Sequence, residues 1–168
     1  MEIILTHGRL RPWQRGDEAS LLLHANNPRV AKNLHDHFPS PYTRIDAEEY
    51  INLNLAEARA NNLAIEVAGE AAGSIGLVMQ EEGSAEIGYW LGEQYWGRGV
   101  MTEAVVAMTR YGFEVLKLPL IFATCFPWNK GSMRVLEKAG YDLLEVRKKA
   151  VEKAGRKVNT HIYQILPA

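Results

Sequence analysis

Residues 84–99 read Ser-Ala-Glu-Ile-Gly-Tyr-Trp-Leu-Gly-Glu-Gln-Tyr-Trp-Gly-Arg-Gly, and this stretch contains the clearest structural pattern in the sequence. Residues 85–91 form a short apolar run with two aromatic residues, which is typical of a buried strand, and Gly92 ends it. Residues 94–99 give Gln-x-x-Gly-x-Gly, and from Val100 apolar residues return at helical spacing. A strand, a glycine turn and a helix start bring free backbone N–H groups and the helix dipole together, so the stretch predicts an anion site.

Two common phosphate-binding loops do not fit this stretch. A Walker loop continues with Gly-Lys-Ser/Thr, whereas this chain has Gly99-Val-Met101. A dinucleotide fingerprint has a third glycine, and that position is Thr102. An ordinary β–turn–α unit with a glycine-rich connection stays open as the alternative.

The composition bounds the kinds of protein that the chain can be. Its 168 residues suit one domain spanning residues 1–168, and its net charge of −1 argues against a bulk nucleic-acid field. The single Cys125 excludes an internal disulfide and fits a reducing compartment. The sequence has no apolar run near 18 residues and no signal peptide. We therefore expect a cytoplasmic protein with no nucleic-acid or membrane partner.

The N-terminal half predicts strand, helix, helix and then strands. Residues 3–13 read as one strand ended by Pro12, and Asp17 can cap the first helix. The second helix begins at Asp46. Its apolar positions are Ala47, Tyr50, Ile51, Leu53, Leu55 and Ala58. Three short apolar runs follow, over residues 63–68, 73–79 and 85–91, and predict an antiparallel meander.

The C-terminal half predicts a long helix after the glycine loop, a buried strand over residues 120–125, and a shorter helix after that strand. Asn129 caps this shorter helix, which runs through Lys138, and Gly140 stands where a C′ glycine belongs. Two last strands, over residues 141–147 and 158–166, are joined by a charged turn.

A second motif supports a family resemblance. Residues 129–141 read Asn-Lys-Gly-Ser-Met-Arg-Val-Leu-Glu-Lys-Ala-Gly-Tyr, about 30 residues after the glycine loop. Both motifs and the order of elements resemble the GNAT acyl-CoA N-acetyltransferases, whose loop signature is Gln/Arg-x-x-Gly-x-Gly/Ala. The Pro39–Thr43 loop and the Ile87–Leu91 strand resemble the Rim-type branch, the ribosomal-protein alanine/serine N-acetyltransferases. The resemblance implies an α/β GNAT fold with a mixed, mainly antiparallel sheet and helices on both faces.

The resemblance also implies an acetyl-CoA site, and we expect no metal, because His35 and His37 have no third ligand at fixed spacing. The pyrophosphate would lie on the amides of residues 96–100 with Gln94 and Arg98 beside it, and the pantetheine arm would pair with the strand backbone. The cofactor-binding residues implied in this way are Tyr89, Trp90, Leu91, Gln94, Trp96, Gly97, Arg98, Gly99, Val100, Met101, Asn129 and Ser132. Lys130 and Arg134 could reach the ribose phosphate.

Each of these assignments has a plainer alternative. Arg98 fits a solvated loop charge equally well, and Asn129 is fully accounted for as a helix cap. Lys130 and Arg134 fit an ordinary solvent-exposed helix face.

One departure from the family pattern concerns the leaving thiolate. Many GNAT enzymes carry a tyrosine seven residues after the motif asparagine, and this chain has Leu136 there. Ser132, on the first turn of the same helix, is the nearest replacement. Members of the Rim-type branch often have serine at this position. A serine hydroxyl there would donate a hydrogen bond to the developing charge.

The identity of the base that accepts the amine proton stays open: it is Glu66, Glu86 or neither. Glu66 and Glu86 each lie inside an otherwise apolar strand, and each could equally point to solvent. An α-amino acceptor needs little help, because about a tenth of it is neutral at pH 7, against well under a thousandth of a lysine. A lysine or polyamine acceptor needs a stronger base or a desolvating site.

Two other residue patterns carry weaker chemistry. His35 and His37 flank Asp36, but a metal site needs a third ligand at fixed spacing, so substrate contact is the better interpretation. Cys125 reads as a buried strand residue, and direct transfer in a ternary complex is favoured over a thiol nucleophile.

The leading hypothesis is therefore an acetyl-CoA-dependent N-acetyltransferase acting on a primary amine. The N-terminus of a protein or peptide is the acceptor that we expect first. A ribosomal protein N-terminus is one such acceptor. The alternatives are a polyamine, amino-acid or aminoglycoside acetyltransferase, and a catalytically silent acetyl-CoA-binding module. Rim-type relatives often dimerise, so the resemblance makes a homodimer an expectation.

Overall fold

The computed structural model describes residues 1–56 and 61–168. Its α-helices are α1 (Glu18–Ala25), α2 (Pro28–Ala31), α3 (Arg44–Ala56), α4 (Val100–Glu114) and α5 (Lys130–Lys138). Its strands are β1 (Ile3–Leu5), β2 (Gly8–Arg11), β3 (Asn62–Val67), β4 (Glu70–Met79), β5 (Ala85–Leu91), β6 (Ile121–Cys125), β7 (Asp142–Lys153) and β8 (Arg156–Ile165). A short 3-10 turn, Glu93–Tyr95, connects β5 to the glycine loop.

The strands form one mixed sheet in the order β1-β2-β3-β4-β5-β6-β8-β7. Neighbouring strands are antiparallel except β5 and β6, which are parallel and pair only at Ala85–Ile121 and Glu86–Phe122. Both strands continue beyond those pairs, to Leu91 and to Cys125, without pairing again. The centre of the sheet is therefore splayed, and the predicted mainly antiparallel fold is confirmed.

Helices cover both faces of the sheet. The larger core packs α4 and α5 on one face, with Met108 and Leu136 fully buried. The smaller core packs α1 and α3 on the other face around Trp13, Leu21 and Ile51. No helix in the described residues is long and apolar enough to cross a membrane.

The N-terminal segment differs from the prediction in two ways. Residues 3–11 form a tight β1–β2 hairpin rather than one strand, with Leu5 opposite Gly8. Asp17 stands at the start of α1, but its side chain makes no cap hydrogen bond there. Its carboxylate instead accepts two hydrogen bonds from Arg11 at 2.9 Å, because the buried guanidinium must be neutralised.

The second predicted helix also needed correction. It begins at Arg44, two residues early, because Thr43 and Asp46 exchange hydrogen bonds as a capping pair. Leu53 and Leu55 are exposed, whereas Asn54 is buried and bonds to neighbouring polar groups. The predicted apolar position Ala58 lies outside the described residues.

The C-terminal strands are longer than predicted. β7 and β8 extend through the charged segment to a two-residue turn at Ala154 and Gly155, whose φ values are +51° and +78°. The tip of this hairpin contacts the loop after α2, where Asp36 accepts hydrogen bonds from Lys153 and from the Ala154 N–H. The predicted cap at Asn129 is confirmed, since its side chain accepts from the Ser132 N–H.

Candidate active site

A cavity of about 830 Å³ opens where β5 and β6 separate. Its walls come from four segments, which are residues 29–34, 89–91, 95–102 and 128–138. The predicted cofactor-binding residues that line it are Tyr89, Trp90, Leu91, Trp96, Gly97, Gly99, Val100, Met101, Asn129 and Ser132. Most of the predicted site residues are therefore together on one cavity.

The glycine loop leaves open space in front of the α4 N-terminus. Gly97 and Gly99 have φ of +74° and +79°, a conformation that favours glycine, and a Cβ at either would meet no protein atom within 4 Å. The first helical hydrogen bond of α4 runs from the Glu103 N–H to the Gly99 carbonyl. The N–H groups of residues 100–102 therefore remain available to an anion in the cavity.

The lining is strongly cationic although the whole chain carries a net charge of −1. Its cations are Arg29, Lys32, Lys130, Arg134 and Lys138, and no carboxylate is among the described residues of the lining. Arg29 is paired with Glu93 at 2.7 Å, just outside the lining. The cavity therefore has the charge that a polyphosphate needs.

The backbone of β5 faces the gap at alternate residues. The Gly92 N–H donates to Ala72 on the β4 side, and the Ala85 N–H donates to Leu120 on the β6 side. Because backbone groups alternate along a strand, Tyr89 and Leu91 turn theirs toward the gap. The Leu91 carbonyl already accepts from the Trp96 indole at 2.7 Å, so Tyr89 is the residue with both backbone groups available to a ligand there.

Asn129, Ser132 and Tyr89 meet at the mouth of the gap. Asn129 Oδ1 accepts from the Ser132 N–H at 3.2 Å, which begins α5. The Ser132 hydroxyl oxygen lies 2.7 Å from the phenol oxygen of Tyr89. Burial raises the pKa of Tyr89, so this phenol is protonated near neutral pH.

Two predicted loop residues do not line the large cavity. Gln94 is exposed, and Arg98 lies over the Tyr95 ring at 5.6 Å. Arg98 instead lines a smaller cavity of about 300 Å³ with His7 and Val67. Their predicted contact with the pyrophosphate gains no support from this geometry.

The two candidate bases are in different surroundings. Glu66 accepts hydrogen bonds from Arg9 at 2.9 Å and from Arg11, and these bonds lower its pKa. A carboxylate held in this way is a poor proton acceptor. Glu86 stands at the last β5–β6 pair, at the root of the gap, and accepts from the Thr124 hydroxyl at 3.0 Å.

The weaker candidates also have plain environments. Burial raises the pKa of the Cys125 thiol to about 11, so a thiolate nucleophile is not formed near neutral pH. His35 and His37 stack with ring centroids 5.9 Å apart, and Asp36 between them is engaged by Lys153. The residues that the structure describes contain no cluster of three metal-ligating side chains.

Comparisons with known proteins agree with this geometry. Residues 8–142 match the family described as the acetyltransferase (GNAT) domain. The chain belongs to the GNAT acetyltransferase family. It is 31% identical to the uncharacterized N-acetyltransferase p20 of Bacillus licheniformis over 165 residues, which cover 94% of this chain and 91% of that protein.

Solved structures of GNAT proteins share the fold over nearly the whole chain. A GNAT-family acetyltransferase from Bacillus anthracis superposes with a TM-score of 0.88 at 27% identity, covering 99% of this chain and 98% of that one. RimL, described as a ribosomal L7/L12 alpha-N-protein acetyltransferase in complex with coenzyme A, gives a TM-score of 0.83 at 22% identity, with coverage of 98% and 96%. The RimL comparison establishes the fold alone.

The residues present fit the acetyl donor of the family. Acetyl-CoA combines a polyphosphate with an extended arm, and the cavity supplies a cationic lining, free N–H groups at the α4 N-terminus and an unpaired strand edge at Tyr89. When bound, acetyl-CoA supplies the activated acetyl group.

Sequence reasoning missed three kinds of residue. Arg29 and Lys32 reach the cavity from the α2 region, far from both motifs in sequence, and no local signal indicates this. Lys138 stands at the end of α5 and was identified only as the end of that helix. The contact of the Tyr89 hydroxyl was missed because its partner, Ser132, lies 43 residues later in the sequence. The signal that could have indicated it is strand alternation, which places the Tyr89 side chain on the same face as those of Ile87 and Leu91.

Proposed function

We propose that this GNAT enzyme transfers an acetyl group from acetyl-CoA to the α-amino group of a protein or peptide N-terminus. The observation that carries the proposal is the make-up of the cavity wall, where five cations stand and no carboxylate occurs among the described lining residues. A site of this kind offers little help to an amine that is protonated at neutral pH. The acceptor should therefore be an amine that is partly neutral without help.

The pKa values of amines favour an α-amino acceptor. At pH 7 about a tenth of a typical α-amino group is neutral, whereas a lysine amine is neutral to well under a thousandth. Glu86, at the root of the gap, is the carboxylate that we assign as base: it takes up, directly or through water, the proton that an already neutral amine releases as the C–N bond forms. Glu66 is excluded from this proposed role because Arg9 and Arg11 hold its charge.

The charge around the site disfavours the polyamine and aminoglycoside alternatives. Residues 147–157 of the β7–β8 hairpin carry six cations against Glu152. Apart from Arg147 and Lys153, these cations form no ion pair with any described residue. Because the hairpin tip contacts the loop after α2, a polycation approaching the cavity is repelled and an acidic peptide is attracted.

The direct test is a thiol-release assay with a panel of acceptors. Peptides with free N-termini, some of them followed by acidic residues, are compared with spermidine, an aminoglycoside and free amino acids at about pH 7. We expect acetyl-CoA-dependent thiol release with peptides and at least about tenfold less with polyamines. Turnover of polyamines alone would contradict the acceptor class, and acetyl-CoA binding without turnover of any amine would favour a silent binding module.

We also propose that the enzyme works in the cytosol and as a homodimer. The one cysteine is buried and unpaired, in keeping with the cytosol as its location. A homodimer is the state that the Rim-type resemblance implies, and sedimentation velocity of the purified chain would measure it.

A further inference from the structure

Leu136 on α5 stands where the GNAT resemblance implies a tyrosine, and its side chain belongs to the hydrophobic core. Leu136 is fully buried and packs into the larger core, so it presents nothing to the cavity. A phenol nevertheless stands at the mouth of the gap, because Tyr89 reaches across from β5 to Ser132 on α5, with the two oxygens 2.7 Å apart. Both residues line the cavity.

Counting hydrogens shows that this pair has one to spare. Two hydroxyls carry two hydrogens, and the bond between them uses one. Neither hydroxyl has another hydrogen-bond partner among the described residues. A phenol is a much stronger acid than an alcohol, so the favoured direction has Tyr89 donating to Ser132 Oγ. The remaining O–H, on Ser132, is then free to point into the cavity.

We propose that Tyr89 is a positioning residue for the acetyl transfer, which holds and polarises the Ser132 hydroxyl so that Ser132 donates to the departing sulfur. This rests on the proposed function, because it needs a thioester in the cavity. Tyr89 thereby brings a phenol to Ser132 from a strand, whereas Leu136 on α5 offers none.

The proton and electron balance defines what the pair does. The amine nitrogen forms the new C–N bond, the C–S bond breaks with its electron pair left on sulfur, and the amine proton leaves to the base. A thiol has a pKa of about 8.5 and an ordinary phenol about 10, and burial raises the pKa of Tyr89 further. Neither hydroxyl therefore surrenders its proton to the thiolate. The pair donates a hydrogen bond, and the donation of Tyr89 to Ser132 makes the serine a stronger donor.

The test uses Tyr89→Phe and a matched control, Tyr141→Phe. Tyr141 makes a buried hydroxyl contact of the same length, 2.7 Å to Thr109, outside the cavity. Calorimetric titration of each protein with CoA and with desulfo-CoA, at about pH 9 where the thiol is largely ionised, measures the sulfur contact without turnover. We expect wild type and Tyr141→Phe to prefer CoA by about tenfold or more, and Tyr89→Phe to lose most of that preference.

Kinetics with Ser132→Ala separate positioning from simple stability. Tyr89→Phe should lower kcat about tenfold with the KM for acetyl-CoA within about threefold, and should cost nothing further in the Ser132→Ala background. Wild-type kcat and wild-type sulfur preference in Tyr89→Phe, or additive losses in the double variant, would overturn the inference. Failure of the wild type to bind either CoA or desulfo-CoA would instead overturn the proposed function on which it rests.

Discussion

At the scale of single residues, Ser132 carries the sharpest prediction. Ser132→Ala removes the hydroxyl but keeps the N–H bond to Asn129 that begins α5, so the helix should be unaffected. Loss of one donor to a developing negative charge typically costs about 100-fold in turnover, whereas loss of the hydrogen bond between Ser132 and Tyr89 costs about 1 kcal/mol in stability. We expect kcat to fall at least about tenfold, with only a small fall in Tm and acetyl-CoA affinity nearly unchanged. A Ser132→Ala variant with the kcat of the wild type on the proper acceptor would contradict the catalytic role of Ser132.

The glycine loop gives a second prediction at the same scale. Gly97→Ala or Gly99→Val introduces a side chain at positive φ and fills the space in front of the α4 N-terminus, so acetyl-CoA affinity should drop at least about tenfold while the fold persists. Gly83→Ala is the matched control, since Gly83 has φ of +97°, no protein atom near its Cβ position and no place in the cavity. Calorimetry with acetyl-CoA measures all three. Wild-type affinity in both loop variants would contradict the assignment of the loop.

At the scale of secondary-structure elements, a buried ion network joins β2, β3 and the start of α1. Arg11 is buried and binds both Asp17 and Glu66, while the more exposed Arg9 also binds Glu66. Glu66→Gln should therefore lower the free energy of unfolding by about 1–3 kcal/mol near neutral pH, as expected for a lost hydrogen bond to a charged group. Its kcat should fall much less than that of Glu86→Gln, which removes the proposed base and should cost about 100-fold.

The same network predicts a pH dependence of stability. The hydrogen bonds from Arg9 and Arg11 lower the pKa of Glu66 in the folded state. Its contribution is therefore complete above its unfolded pKa of about 4.3, and is lost as the pH falls through the lower folded value. Urea unfolding between about pH 7 and about pH 3 should show a smaller acid loss of stability in Glu66→Gln than in wild type. An identical acid loss in both proteins would contradict this account.

The elements also show what periodicity could and could not predict. The β5–loop–α4 unit, the Asn129 cap and the Gly140 C′ position follow from local sequence, and each is found. Asp17 was predicted as a cap, but a buried arginine six residues earlier in sequence binds it instead. Such a partner is chosen by tertiary packing, which no local pattern records.

At the scale of the whole molecule, charge is distributed unevenly over a nearly neutral chain. The cavity lining holds five cations and residues 147–157 of the β7–β8 hairpin hold six, and both regions lie near the loop after α2. Composition alone predicted no strong electrostatic field, because the net charge of −1 is a sum over the whole chain. In that sum, acidic residues elsewhere cancel the positive charge of these two regions. The lining cations from the α2 region could be found only once the fold brought them to α5.

The hairpin charges give a prediction about acceptor choice. Arg156→Glu with Lys157→Glu should lower kcat/KM for peptides with acidic residues near the N-terminus by about tenfold at low salt, and less at high salt. Arg110→Glu with Lys117→Glu is the control, because it makes the same charge change on exposed positions at the outer surface of α4 and just after it. Equal losses in the two double variants would mean that net charge, rather than the hairpin, sets the preference.

The position of the acetyl group on a peptide that offers both kinds of amine tests the proposed acceptor class directly. A peptide with a free N-terminus and one internal lysine is incubated with acetyl-CoA and the wild-type enzyme at about pH 7, and fragmentation mass spectrometry locates the product. We expect acetylation of the α-amino group in large excess over the lysine, because only the former is appreciably neutral without a strong base. Acetylation chiefly on lysine would contradict it.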